Sequence, residues 1–467
     1  MMNDLTIRLD AKADRPLYEQ IYDYIKAEIK NGGLSFEERL PSTRMLAKYL
    51  QVSRSTVELA YEQLLSEGYI EAIPCRGYFV CRLDGLVYLN KEALAVETHC
   101  IEKKEKYDFD FSPNGIDLNS FPHNTWKKLS RGILMENNKE FFRLGEPEGE
   151  EVLRKTIASY LHQARGAICT PEQVIVGAGN DYLLMLLCNI LGKERVVAME
   201  NPTYKKAYRV LQSMAKEMVA VSMDQNGMNV KELSKSSADI AYVMPSHQYP
   251  MGTVMPVGRR MQLLDWASRK EGRYIIEDDY DSEFRYKGKP IPALQGFDVR
   301  GKVIYLGTFS RSIAPSIRIS YMVLPEKLAE VYRKHGRIFS STVSRVDQMI
   351  ISRFLSEGHY ERHLNRMRAI YKNRHDVLLE ELAGLSDICR ISGEHAGVHL
   401  LLQFTNGMSE AEAVARAKQE GVKVYRLSDC RIGPEQEQST VILGYANMEE
   451  EQIREAAKRL GKAWRIE

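Results

Sequence analysis

The sequence predicts two unlike regions: a small, mainly helical unit, then a much larger α/β domain with a mostly parallel sheet that closes on a smaller α+β lobe. Three observations predict this. Over the first ~80 residues, apolar side chains recur at helical spacing three times and then alternate around a turn. From about residue 107, strand-like apolar runs alternate with amphipathic helical stretches, the mark of crossover connections in a mostly parallel sheet. Beyond about residue 330, long charged helices mix with strands.

In the first region, "PLYEQIYDYIKAEIKNG" puts Leu17, Ile21, Tyr24, Ile25 and Ile29 on one helical face, and Asn31-Gly32-Gly33 stops it. "PSTRMLAKYLQV" starts at a Ser42 or Thr43 cap and buries Leu46, Ala47 and Leu50. "SRSTVELAYEQLLSEGYI" is capped by Ser53, buries Val57, Ala60, Leu64 and Leu65, and ends at Gly68. "YIEAIPCRGYFVC" alternates on either side of a turn at Pro74–Gly77. These observations set a first domain at 1–82. Residues 83–106 are polar with mixed charge and read as a solvated tether.

The second domain, 107–467, divides into a large lobe to about residue 330 and a small lobe from about 331. Its expected strands are "QVIVGAG", "RVVAME", "MVAVSM", "DIAYVMPSH", "RYIIEDD", "KVIYLGTFS" and "RISYMVLP", with helices such as Asp181–Leu191 and Val257–Lys270 between them. The small lobe supplies "GVHLLLQF", "VKVYRL" and "TVILGYA".

Composition narrows the function classes. With 44% hydrophobic and 27% charged residues over 467 positions, the chain reads as globular, and its net charge of +2 points to no partner. Its longest apolar run, Tyr182–Leu191, is about half the ~20 residues a membrane span needs. "MMNDLTIRLDAKADR" has no apolar signal core. Seven scattered cysteines form no CxxC pair, so neither a disulfide framework nor a zinc pattern is expected. A cytoplasmic protein without metal or membrane association is the expectation.

The short turn "QVSRST" between the second and third helices has helix–turn–helix spacing, which places the second helix of the pair in the major groove of DNA. Ser53, Arg54, Ser55 and Thr56 then stand at the exposed start of that helix, suited to phosphates and, for Arg54, to a guanine edge. Arg44 lies on the preceding helix, and Arg76 and Gly77 at the hairpin tip would form a wing. The region holds eleven basic and twelve acidic residues, so any basic face is local, and solvated arginines on a small helical domain remain the plainer alternative.

In the larger domain, "VIVGAGNDYLL" is a strand, a small-residue turn and a helix start, where the N–H groups of Ala178, Gly179 and Asn180 can cradle a phosphate. "RYIIEDDYDSEF" places Glu277, Asp278, Asp279 and Asp281 at a strand end, where open α/β sheets bind ligands. A carboxylate there can keep a pyridine nitrogen protonated; a metal site or a solvated strand end are the alternatives. "GTFSRSIAPSIR" adds Thr308, Ser310, Arg311 and Arg318, hydroxyls and cations that suit an anion.

"PLYEQIYDYIKAEI", "LPSTRMLAKYLQVSRSTVELAYEQLLSEGYI" and "GYFV" resemble the winged helix of GntR-type bacterial regulators, which usually carry glycine where Cys75 stands. "FSPNGIDLNSFP", "GEPEGEEVLR", "ENPTY", "PSHQYPMG", "EDDYDSEFRY", "YLGTFS", "PSIRISYMVLP" and "LGYA" together resemble the fold-type I aminotransferase domain. Joined in this order, the two resemble the MocR-type regulators. The resemblance implies pyridoxal 5'-phosphate as cofactor, with Asp278 on the ring nitrogen and Tyr280 and Tyr249 near the ring hydroxyl. It places Tyr204 near the ring, and the Ala178–Asn180 turn, Thr308, Ser310 and Arg318 on the phosphate. His247 is read as a hydrogen-bonded structural residue before a cofactor contact. Arg426 and Arg431 are candidates for an effector carboxylate, with solvated surface arginines equally open.

The family pattern has lysine after "GTFS"; this sequence has Arg311. A Schiff base needs a neutral amine, and arginine keeps its proton with a pKa of roughly 12.5–13.8. Lys302 sits off the loop and is no substitute. The expectation is therefore a transcriptional regulator that binds operator DNA as a homodimer. A degenerate, inactive aminotransferase-like domain would sense an amino-acid-like or pyridoxal-phosphate-like effector and bind the cofactor non-covalently or not at all. One rival is a working aminotransferase with an accessory DNA-binding module; a second is a regulator whose large domain binds no cofactor and only dimerises.

Overall fold

The computed structural model describes residues 7–10, 13, 15–82, 106–135, 139–286, 291–393, 396–434 and 439–465. Contacts divide the chain into two compact units, Met1–Lys104 and Glu105–Glu467. The expected tether at 83–106 lies outside the described residues apart from Lys106.

The first unit contains α1 (Leu17–Lys30), α2 (Thr43–Leu50) and α3 (Arg54–Ser66), followed by β1 (Ile70–Ile73) and β2 (Gly77–Val80). Two helices start where a hydroxyl can accept from a free backbone donor: Ser42 from the Met45 N–H, and Ser53 from the Thr56 N–H. Val57, Ala60, Tyr61 and Leu64 of α3 share one core with Ile21, Tyr22, Ile25 and Ile29 of α1. Tyr22 takes the buried place expected for Tyr24, because its hydroxyl reaches Glu67, donating to Oε1 at 2.6 Å. The hairpin pairs Ile73 with Gly77 and turns through Cys75 at φ 62°. A side chain in that left-handed region costs roughly 1–2 kcal/mol, the physical reason glycine suits position 75.

The second unit opens with β3 (Phe109–Asp110), α4 (His123–Met135) and α5 (Glu151–Arg165). Then strands and helices alternate: β4 (Val174–Gly177), α6 (Asn180–Leu191), β5 (Val196–Asn201), α7 (Lys205–Gln212), β6 (Glu217–Asp224), β7 (Gly227–Met228), α8 (Val230–Lys235), β8 (Ile240–Val243), α9 (Val257–Ser268), β9 (Tyr274–Asp279), β10 (Val303–Thr308), β11 (Ser320–Val323) and α10 (Glu326–Val331). The eight-stranded sheet has the order β4-β11-β10-β9-β8-β5-β6-β7. Its centre is parallel, as the alternation predicts, while β11 runs antiparallel to both β4 and β10 and β7 antiparallel to β6. The central parallel strands β8 and β9 are buried along their whole length, which suits their apolar runs, whereas β6 near the edge is largely open.

The chain finishes with α11 (Arg345–Ser356), α12 (His359–Leu382), β12 (Cys389–Ser392), β13 (His399–Phe404), α13 (Glu410–Gln419), β14 (Val422–Lys423), β15 (Tyr425–Arg426), β16 (Thr440–Gly444) and α14 (Glu450–Trp464). Strands β12-β13-β16-β15 form a second, antiparallel sheet. The single strand expected from "VKVYRL" splits at buried Val424: β14 pairs with β3, whereas β15 joins β16. Among the described residues no helix is long and apolar enough to cross a membrane.

Candidate functional site

The antiparallel course of β11 brings its first residue to the edge where β4 and β10 end: Ser320 pairs with Gly177 on one side and Thr308 on the other. At this edge a cavity of about 320 Å³ opens. Gly179, Asn180, Tyr204, Tyr249, Asp278, Tyr280, Thr308, Ser310, Arg311 and Arg318, all singled out from the sequence, line it. Asn114, Ile116, Asp181, Lys206, Met244, Pro315 and Ser320 complete the lining and were not singled out.

Alternation along β9 sets Asp278 apart from Glu277 and Asp279, and Asp281 lies just beyond the strand. Glu277 turns away and accepts the N–H groups of Leu294 at 2.7 Å and Gln295 at 2.8 Å. Asp279 pairs with Arg165 at 2.8 Å, both side chains buried. Asp281 accepts from His247 Nδ1 at 2.9 Å. Asp278 alone faces the cavity, accepting from the Tyr242 hydroxyl and, at 3.3 Å, from Asn180 Nδ2. Burial pushes its carboxyl up to about 7, the Tyr242 hydrogen bond opposing and the charges of Asp279 and Asp281 adding to the rise. A cationic ring nitrogen at this carboxylate would offset that desolvation.

His247 is buried, pairs with Asp281 and does not line the cavity. The Tyr280 hydroxyl lies 3.1 Å from the same His247 nitrogen. The Tyr249 ring meets the Tyr204 and Tyr280 rings edge-on at 5.8 and 6.2 Å, making an aromatic wall. Burial raises the pKa of all three phenols, so each stays a neutral hydroxyl.

The opposite end is cationic. Arg318 takes φ 52°, a strained backbone for a residue with a Cβ, and donates from Nη2 to the Ala178 carbonyl at 3.0 Å. Gly179, at φ +92°, permits this approach, since a Cβ there would sit 2.3 Å from Arg318 Nη2. The turn is less open than the sequence suggests. The Ala178 N–H already donates to Thr342 Oγ1 at 3.0 Å, and the Gly179 N–H to the Gly177 carbonyl at 2.8 Å. Ala178 itself is not part of the lining. Thr308 Oγ1 accepts from the Ser310 N–H at 3.1 Å and the Ser320 hydroxyl at 2.8 Å. Among the described residues, Ser310 Oγ is buried and without a partner.

Arg311 extends to the "FSPNG" loop, donating from Nη2 to the Pro113 carbonyl at 2.5 Å. Its neighbours are fixed from below: Ser312 bonds to the Tyr360 hydroxyl at 2.8 Å and, through its carbonyl, to His363 Nε2 at 2.9 Å. Lys302 lies at the far end of β10, with its amine near the Lys270 carbonyl. Arg426 and Arg431 are not in the cavity lining. Arg426 ends beside Asp429 at 2.7 Å, three residues on, and the Arg431 carbonyl accepts from Lys205.

In the first unit, Arg44, Ser53, Arg54, Ser55 and Arg76 are exposed and Thr56 half-buried. The Ser53 hydroxyl is engaged by its cap and by Ser55 and Thr56. Arg54 pairs with Glu58 at 2.7 Å on the same face of α3. Arg76 lies over the Phe79 ring at 5.6 Å, beside Gly77 at φ +111°.

A family model for bacterial regulatory proteins of the gntR family matches residues 17–80, and one for aminotransferases of class I and II matches residues 111–460. The uncharacterized HTH-type transcriptional regulator YdeL of Bacillus subtilis is 38% identical over 99% of this chain and all of that protein. The probable rhizopine catabolism regulatory protein MocR of Rhizobium meliloti is 33% identical over 98% of this chain and 95% of that one. A crystal structure of a multiple substrate aminotransferase from Thermococcus profundus is 25% identical, with a TM-score of 0.68, over 78% of this chain and 92% of that one.

Proposed function

Because the chain belongs to the MocR-type subfamily of GntR transcriptional regulators, its larger part an aminotransferase class I and II domain, we propose that it binds pyridoxal 5'-phosphate without a covalent link. Occupancy, not turnover, then governs its binding to operator DNA. The donor set suits the cofactor. Asp278 would hold the proton on the ring nitrogen, Tyr204, Tyr249 and Tyr280 would flank the ring, and Arg318, Thr308 and Ser310 would hold the phosphate; all seven line the cavity. The partnerless Ser310 hydroxyl supports this, since a buried hydroxyl without a partner costs about 1–3 kcal/mol that a phosphate oxygen would relieve. When bound, the cofactor supplies an electron-withdrawing ring and a reactive carbonyl.

The observation that carries the reading is Arg311. At the position where the family pattern has an amine stands a guanidinium that keeps its proton and donates to the Pro113 carbonyl. It can neither attack a carbonyl nor carry a proton between carbons, so the domain is proposed to be catalytically inactive.

A homodimer is part of the proposal. Leu134 and Met135 at the end of α4, Phe142 and Leu144, and Ile338 and Phe339 before α11 are exposed, and α4 and the 139–142 turn both pack on α11. An exposed apolar set of this kind suits a second copy. Two copies bring two winged helices to two half-sites, and occupancy of the pocket biases how they meet them. Binding to DNA would put this work in the cytoplasm.

The test is a titration of the wild-type protein with pyridoxal phosphate. Near-ultraviolet absorbance should saturate, disappear on dialysis, and be accompanied by a change in retention of a duplex selected from a random pool. Turnover of an amino donor by the wild-type protein would replace this reading with that of an aminotransferase carrying an accessory module.

A further inference from the structure

We infer that Asp181 is a built-in counter-ion at the cationic end of the cavity, one that a phosphomonoester dianion displaces and a carboxylate monoanion does not. The inference rests on reading this cavity as the cofactor site. Asp181 is the second residue of α6 and lines the cavity. One of its oxygens, Oδ2, lies 2.5 Å from Lys206 Nζ and 3.2 Å from Arg318 Nη2. The two lining cations flanking this helix start are thus held by a single carboxylate oxygen, and the three formal charges sum to +1.

Arg318 has little freedom to leave this arrangement. Its backbone is in the left-handed region, its guanidinium packs on Gly179, and the Ala178 carbonyl accepts from the same Nη2. The side chain that moves in this inference is Asp181, which these two cations hold. Turned outward, it leaves two cations for an incoming anion. A carboxylate offers them no more charge than Asp181 already does, and it adds the entropic cost of association. A phosphate dianion offers twice the charge and three acceptor oxygens, enough for both cations and the Ser310 hydroxyl. Asp181 therefore sets the class of ligand by competing within the chain.

The experiment compares wild type, Asp181→Asn, Lys206→Gln and the double variant as full-length proteins. Pyridoxal phosphate, pyridoxal and inorganic phosphate are the direct ligands, and acetate is a competitor at matched ionic strength. Asp181→Asn should bind pyridoxal phosphate roughly five- to tenfold tighter, with pyridoxal changed less than about twofold. Lys206→Gln should weaken pyridoxal phosphate, and the double variant should recover part of the loss. Inorganic phosphate should compete with pyridoxal phosphate and acetate should not; equal gains for phosphate alone and for the ester would place the effect at the anion end rather than the ring. An unchanged or weakened preference for pyridoxal phosphate over pyridoxal in Asp181→Asn overturns the inference alone. Absence of saturable binding of both phosphate probes in every protein overturns the cofactor reading and the inference with it.

Discussion

Arg311 Nη2 donates to the carbonyl oxygen of Pro113 at 2.5 Å, so the side chain at the centre of the "GTFSRS" loop is tied to a segment almost two hundred residues earlier. Arg311→Lys exchanges that tie for an amine able to attack a carbonyl. Borohydride treatment with pyridoxal phosphate should label residue 311 in the variant and leave the wild-type protein unlabelled there, as read by peptide mass. Label at Arg311 in wild type would remove the argument for non-covalent binding.

Gly179→Ala tests the close approach of Arg318. The added Cβ would stand 2.3 Å from Nη2 on a backbone with φ +92°, so either the guanidinium or the turn must shift. Affinity for pyridoxal phosphate should fall at least tenfold while folding stability drops by only about 1 kcal/mol, from calorimetry and denaturant melts. Equal affinity would mean that Arg318 does not hold the phosphate.

Arg165→Met leaves Asp279 buried without its cation. Arg165 also donates to Ser246 Oγ at 2.7 Å and the Ile291 carbonyl at 2.5 Å, so several acceptors lose their donor together. The expected loss is about 3–5 kcal/mol in urea unfolding, with recovery when Asp279→Asn is added. A loss below 1 kcal/mol would show that water replaces the guanidinium.

His399 predicts a pH dependence. It is buried, its Nε2 donates to the Pro250 carbonyl at 2.8 Å, and burial, reinforced by His247, lowers its pKa to about 4. The unfolded chain, at about 6.5, takes up the proton first. This stability is therefore complete above pH 6.5 and is lost as pH falls toward 4, by about 3 kcal/mol in total. Glutamine keeps a donor for Pro250 and does not titrate. His399→Gln should flatten the acid limb between pH 6.5 and 4 by about one proton, and an unaltered limb would assign it to other groups.

On DNA, Arg54→Ala should cost about 1–3 kcal/mol against a selected duplex and relax preference at one base pair. Arg76→Ala should instead weaken all duplexes alike and reduce the salt slope by about one. The check is fluorescence anisotropy over a salt series; uniform weakening by Arg54→Ala would make it a phosphate contact.

Much of this was legible in the sequence because strand ends carry function in open α/β sheets. Asp278, Thr308 and Arg318 flank apolar runs long enough to recognise as strands, so their convergence followed from topology. Asp181 and Lys206 were not legible: they are single charges in helix first turns, and a sequence does not distinguish a charge facing a cavity from one facing water. The break at Val424 was hidden because an alternating run looks the same whether it serves one sheet or two. Arg426 and Arg431 are the candidates for an effector carboxylate in the small lobe; Arg426 ends the short strand β15 and pairs with Asp429, and neither residue lines the cavity.

The direction of β11 has a consequence for the life of the molecule. Arg318 stands two residues before that strand, so a chain whose remaining strands have assembled while β11 is still unpaired has no guanidinium to offer. On the proposed reading, capture of a phosphate ester would be coupled to completion of the sheet. Ligand at one hundred times its dissociation constant would favour the finished form by about 2.7 kcal/mol. If pyridoxal phosphate is that ester, as proposed, cells short of it would accumulate less intact protein.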